Sequence, residues 1–322
     1  MSQKTLHLPH LPTNGDGSFL LATLLFLVPE YNASMEKWLH ITSGDISGEL
    51  IRSSGLPGEV LVIHDILYEE VRTPGFPNDT DMLKRARFLE KHTDGGIPYE
   101  QLLSMLHSQY AKILSSKDFD QTILWFDACL FDQAMLAHIL ACFKENTPPS
   151  LSLICINAFP GIEPFDGLGQ LSPEQIRSLI DLKTPVTPQQ MQYAVEVDRA
   201  FAQQDPQALR ELAQTSVAPL PFMPSAIQRW LEEQATEHQP LGKLDRLILQ
   251  AIDRGYHRPM DIFHEIRRNE THPIYWGDSM LWEKINDLQD RNPPLLKIQG
   301  PTQRLPQWGP KEALDNYLVT RA

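Results

Sequence analysis

Positive charge is scarce in this chain: 28 Lys and Arg face 41 Asp and Glu, leaving a net charge of −13 over 322 residues. That balance excludes broad electrostatic attraction to nucleic acid or to an anionic membrane. Cysteine is scarcer still. Cys129, Cys142 and Cys155 lie in apolar stretches without C-x-x-C spacing, which argues against a zinc site or disulfide framework and for a reducing cytoplasm. Catalytic signatures are missing as well. There is no G-x-S-x-G elbow, no H-E-x-x-H, no kinase set, no P-loop lysine and no complete G-x-G-x-x-G fingerprint, so no motif names a nucleophile or a cofactor.

What is there suits a folded chain with ample length for a core: 42% of residues are hydrophobic and 21% charged. Residues 1–34 read as a leader or a non-native extension. Their apolar run, Ser18 to Val28, is short of the roughly 20 residues that span a bilayer. It has the size of a signal-peptide core, but Lys4 alone supplies the basic flank and no disulfide pattern follows.

Four apolar runs then end on polar residues: Leu39 to Thr42 into Ser43-Gly44-Asp45, Val60 to Ile63 into His64-Asp65, Thr122 to Phe126 into Asp127, and Leu151 to Ile156 into Asn157. Helical periodicity separates them, at Ser47 to Ser54, Asp81 to His92, Tyr99 to Leu114 and Phe131 to Lys144. The alternation predicts an α/β fold over residues 35–170, a Rossmann-like parallel sheet of about four or five strands with flanking helices. Residues 171–238 read as a helical segment. Ser172-Pro173, Thr187-Pro188 and Asp205-Pro206 each place a capping side chain before a proline at the first helical position. Residues 239–322 read as winged-helix-like: three helices, a strand at Leu295 to Ile298 and a second strand near Arg304-Leu305.

From Pro240 onward the chain carries twelve Lys and Arg against eleven Asp and Glu, while the remainder carries sixteen against thirty. The third helix of the last segment nevertheless holds Asp278, Glu283, Asp287 and Asp290 against Lys284 and Arg291, a poor complement to DNA phosphates. A protein partner is therefore the expected use of this segment, and a DNA-associated transcriptional regulator is the less favoured reading.

Parallel strands place their carboxyl ends on one rim, where open α/β folds bind ligands. The expected ligand-binding set is Thr42, Ser43, Gly44, Asp45, Ser47, His64, Asp65, Asp127, Asp132, Gly161 and Glu163. The Ser43 to Gly48 turn offers backbone N–H groups and a positive helix end to a small anionic or nucleotide-like ligand. Two bland readings stand beside this one: Asp45 or Ser47 caps the helix, and Arg85 and Arg87 belong to a solvated helix face. A metal-dependent hydrolase or transferase is the alternative function, with Asp45, Asp65 and Asp127 gathering a magnesium ion and its waters. His64 is a possible base if a rim carboxylate orients it. Asp127 and Asp132, five residues apart, are not forced into a pair by spacing.

Several segments resemble a bacterial family known as "domain of unknown function 1835". They are His40-Ile41-Thr42-Ser43-Gly44-Asp45, Gly58-Glu59-Val60-Leu61 leading to Asp65-Ile66-Leu67, Leu124-Trp125-Phe126 with Leu130-Phe131-Asp132-Gln133, and Phe159-Pro160-Gly161-Ile162-Glu163-Pro164-Phe165. The resemblance covers roughly residues 36 to 300 and transfers no reaction and no cofactor. Where the family pattern runs D-V-L-H-E-G-P and W-F-E-H-D, this chain has Tyr68, Val71, Ala128 and Cys129 at the rim, which implies, if the family is enzymatic, an altered or inactive member.

Overall fold

Alternate residues of a strand face opposite sides of its sheet, and here both sides are apolar. Leu124 and Phe126 enter one core with Leu39 and Ile41, while Ile123 and Trp125 enter a second core with Ile51 and Ile154. A sheet covered on both faces explains why these strands read as nearly continuous hydrophobic runs. The computed structural model describes residues 36–93, 95–215, 217–307 and 311–322, so the expected leader at 1–34 lies outside the described residues.

The sheet consists of β1 (Trp38–Ser43), β2 (Glu59–Ile63), β3 (Gln121–Asp127), β4 (Leu151–Ile156) and the two-residue β5 (Thr184–Pro185). Its spatial order is β2-β1-β3-β4-β5, parallel except for β5, which pairs antiparallel with β4. The chain steps from β1 outward to β2, then returns past β1 to place β3 on its other side. That reversal puts a topological switch point at the carboxyl ends of β1 and β3.

Helix α1 (Asp45–Ser53) follows β1, α2 (Asp79–His92) and α3 (Tyr99–Leu114) link β2 to β3, and α4 (Leu130–Phe143) links β3 to β4. Helix α4 is buried at every position except Phe131, because α6 (Pro188–Ala202) and α8 (Met223–Leu231) cover the side turned away from the sheet. The caps form as the sequence predicts. Ser172 before α5 (Pro173–Ser178) and Thr187 before α6 complete capping boxes with Gln175 and Gln190, and Asp205 caps α7 (Pro206–Ala213).

The last segment comprises α9 (Lys243–Asp253), α10 (Pro259–Asn269), α11 (Asp278–Asp290) and an antiparallel pair, β6 (Leu296–Gln299) and β7 (Leu318–Arg321). The second strand thus lies at 318–321 and not near Arg304-Leu305. Pro301 and Pro306 bracket that stretch and cannot donate to a ladder. Leu305 is fully buried instead, its N–H donating to Asn286 Oδ1 at 2.8 Å and its carbonyl accepting from Asn286 Nδ2 at 3.0 Å. Glu36–Ala322 form one compact unit. Trp230 Nε1 donates to the Tyr68 carbonyl at 2.9 Å, and His92 Nδ1 lies 3.1 Å from Glu283 of α11.

Candidate functional site

The polar strand ends do not share one crevice. At the end of β1, Thr42 Oγ1 donates to the Trp125 carbonyl at 3.0 Å and is wholly buried, a cross-strand tie. Ser43 Oγ donates to Asp132 Oδ1. Gly44 takes the left-handed φ of 69° as the N-cap of α1 and makes no side-chain cap bond, so neither Asp45 nor Ser47 caps the helix. Asp45 projects outward, its Oδ1 2.8 Å from His64 Nε2, and both side chains are exposed to solvent.

Beyond β2, Asp65 turns away from the rim. Its buried carboxylate accepts from Arg85 Nε at 2.6 Å and from the Ile66 N–H at 2.6 Å, while Arg85 also donates to the Glu69 and Ile66 carbonyls. Arg85 is therefore a buried structural cation, and Arg87 stays on the exposed face beside Glu90. The trio of Asp45, Asp65 and Asp127 is dispersed.

A different cluster forms at the end of β3. One turn of α4 carries Asp132 back over the strand end, where Asp132 Oδ2 accepts from the Asp127 N–H at 2.7 Å. Asp127 Oδ1 in turn accepts from the Cys129 N–H at 2.9 Å, and Gln133 Nε2 donates to the Asp127 carbonyl at 2.6 Å. Carboxyl and thiol atoms of Asp127, Cys129 and Asp132 lie within 4.8 Å of one another, all buried. Burial raises both carboxyls; hydrogen bonds from Cys129 and Leu168 oppose the rise at Asp127, whereas the charge of Asp127 adds to it at Asp132.

Gly167 closes this cluster from above. Its φ is 142°, and any Cβ there would collide with the Asp127 carboxyl, so the loop after β4 lies flat across the switch point. Gly169 brings the same loop against Ile46 at the start of α1. The crevice expected between β1 and β3 is thereby filled by the protein itself.

Open space remains on the β4 side. A groove of about 860 Å³ is lined by Ala128 after β3, by Asn157 after β4, by Phe159, Gly161, Ile162 and Glu163 of the loop, and by Phe222, His272 and Pro273 from the far side. Pro164 and His272 also line an adjoining hollow of about 750 Å³, together with Asp166, Tyr256, Asp261, His264, Arg267 and Arg268. Gly161 and Glu163 thus face the groove, whereas Ser43, Asp127 and Asp132 lie beneath the loop.

Sequence reasoning missed the second wall, and one signal for it existed. His264, Arg267 and Arg268 fall at i, i+3 and i+4 on α10, one helical face. That spacing equally describes a solvated face, and nothing local ties it to a loop a hundred residues earlier. Compared with protein-family models and with curated proteins, the chain matches none.

Proposed function

We propose that the chain is a binding protein in which a Rossmann-like α/β unit and a winged-helix-like C-terminal module share one groove, and that the groove takes a small anionic, nucleotide-like ligand. The observation that carries this reading is the make-up of the groove. Its rim-loop end is apolar and aromatic, through Phe159, Ile162, Phe222 and Pro273, and its α10 end holds Arg267 and Arg268 with His264 and His272, beside the acids Asp166 and Asp261. Two guanidiniums in one hollow suit the oxygens of an anion, and the aromatic end suits a flat organic body. The position, outside the carboxyl ends of β3 and β4, supports the same reading. A ligand seated there would touch both the α/β unit and α10, so its occupancy would be communicated to the C-terminal helices.

Other readings draw less support. Metal-dependent hydrolysis or transfer would need rim carboxylates with free oxygens, yet Asp65 is engaged by Arg85, and Asp127 and Asp132 already accept from Ser43 and backbone N–H groups. DNA binding through α11 would need that helix exposed and basic. Instead Glu283 docks on His92 of α2, and Arg291 is paired with Asp245 at 3.3 Å. The uncapped start of α1 beside Asp45 and His64 is a weaker anion site, because it is open to solvent and Asp45 repels negative charge.

Thermal unfolding against nucleoside mono- and diphosphates tests the reading. A ligand at a hundred times its Kd stabilises by about 2.7 kcal/mol, which for a chain of this size raises the melting temperature by roughly 5 °C. A panel of such compounds that leaves the transition unmoved at millimolar concentration overturns it.

A further inference from the structure

The groove already contains an anion of its own. Asp166, on the loop after β4, reaches across to the C-terminal helices, where its carboxylate accepts from Arg267 Nη2 at 2.6 Å, from His272 Nδ1, and from the Ile274 N–H at 3.5 Å. Guanidinium, imidazole and backbone N–H converging on one carboxylate is the donor set with which proteins hold carboxylates and phosphates. The carboxylate is the covered member of the group: the Asp166 side chain is 12% exposed, against 40% for Arg267 and 65% for Arg268.

Two guanidiniums and two imidazoles line the hollow beside the carboxylates of Asp166 and Asp261. His264 and Arg268 line the same space, where Arg268 pairs with the buried Glu265 at 3.1 Å and donates from Nε to the His264 carbonyl at 3.3 Å, its own side chain remaining 65% exposed. Asp261 is the other acid on that wall. A group with more charge and more acceptor oxygens than a carboxylate would engage these cations more fully, and a phosphate has both.

We propose that Asp166 occupies, in the free protein, the subsite for a phosphate or pyrophosphate group, and that the phosphate of a bound ligand displaces it and releases the loop. This rests on the anion-binding reading of the groove and adds the ligand class and a latch. The latch is local: the Asp166 N–H donates to Gln170 Oε1 at 2.6 Å and Gln170 Nε2 donates to the Pro164 carbonyl at 3.3 Å, while Phe165 and Leu168 on either side are buried.

Calorimetric titration of the full chain with inorganic pyrophosphate, wild type against Asp166→Asn, tests this. Removing a competitor that must be displaced raises apparent affinity, and about a tenfold gain is expected in Asp166→Asn, lost again in Asp166→Asn/Arg267→Gln. Equal affinity in wild type and Asp166→Asn overturns the latch and leaves the groove reading standing, while no binding by either protein overturns both. Amide exchange of the wild type gives a second readout that needs no variant. Saturating pyrophosphate should accelerate exchange at Asp166 and Gln170, and unchanged or slowed exchange there contradicts the displacement.

Discussion

Asp132 is a buried acid whose carboxyl contacts are a hydroxyl, from Ser43, and a backbone N–H, from Asp127. Burial first, and the charge of Asp127 second, push its pKa well above the ordinary carboxyl range. The folded chain therefore keeps a proton that the unfolded chain releases near a pKa of about 3.9. Stability from this group is fully present below that value and is lost as pH climbs toward the raised folded value. Asp132→Asn removes that loss, so its stability relative to wild type should improve as pH rises above about 4 in urea unfolding; a difference that is flat or declines would contradict the raised carboxyl. Gly167 is the companion case. Ala at that position needs a side chain at φ 142° against the Asp127 carboxyl, and we expect Gly167→Ala to cost about 1–3 kcal/mol in the same assay. A change below about 0.5 kcal/mol, the scale of ordinary surface substitutions, would show that the loop does not lie over the cluster.

At the level of elements, the connection between β2 and α2 is pinned by one buried network. Arg72 Nη2 donates to Asp198 of α6, His138 Nδ1 of α4 lies 3.0 Å from the same carboxylate, and Tyr110 of α3 meets His138 Nε2 at 2.8 Å. Burial alone would raise Asp198, but Arg72 and His138 more than reverse it and hold the carboxyl well below its usual range. Arg72→Met takes the guanidinium from that buried charge, leaving it only His138 and the Gly75 N–H among the described partners, and should cost about 3–5 kcal/mol, with much of it recovered in Arg72→Met/Asp198→Leu. Single and double variants that lose the same stability would contradict the pairing. Elements with local signals were legible in the sequence: four of the strands by their apolar runs, and α5, α6 and α7 by their proline-led caps. β5 was not, because two residues carry no pattern. The segment at Leu305 was misread for a related reason. Its apolar residue satisfies its backbone through Asn286, a partner that only the tertiary structure supplies.

Across the whole molecule, the sequence placed polar strand ends on one rim but could not say which of them meet. Asp127 and Asp132 pair because α4 starts one turn after β3, Asp65 leaves the rim because Arg85 is buried beside it, and a loop lies across the switch point. The groove was illegible because its two walls are the 157–166 loop and the α10 to Pro273 segment, brought together only by folding. One experiment reads the groove directly: backbone-amide NMR of the wild-type chain titrated with a nucleoside diphosphate. Saturable shifts concentrated at Ala128, Phe159 to Glu163, Arg267 and His272 are the predicted result. Shifts confined to Gly44, Asp45, Ser47 and His64, or none at all, would contradict it.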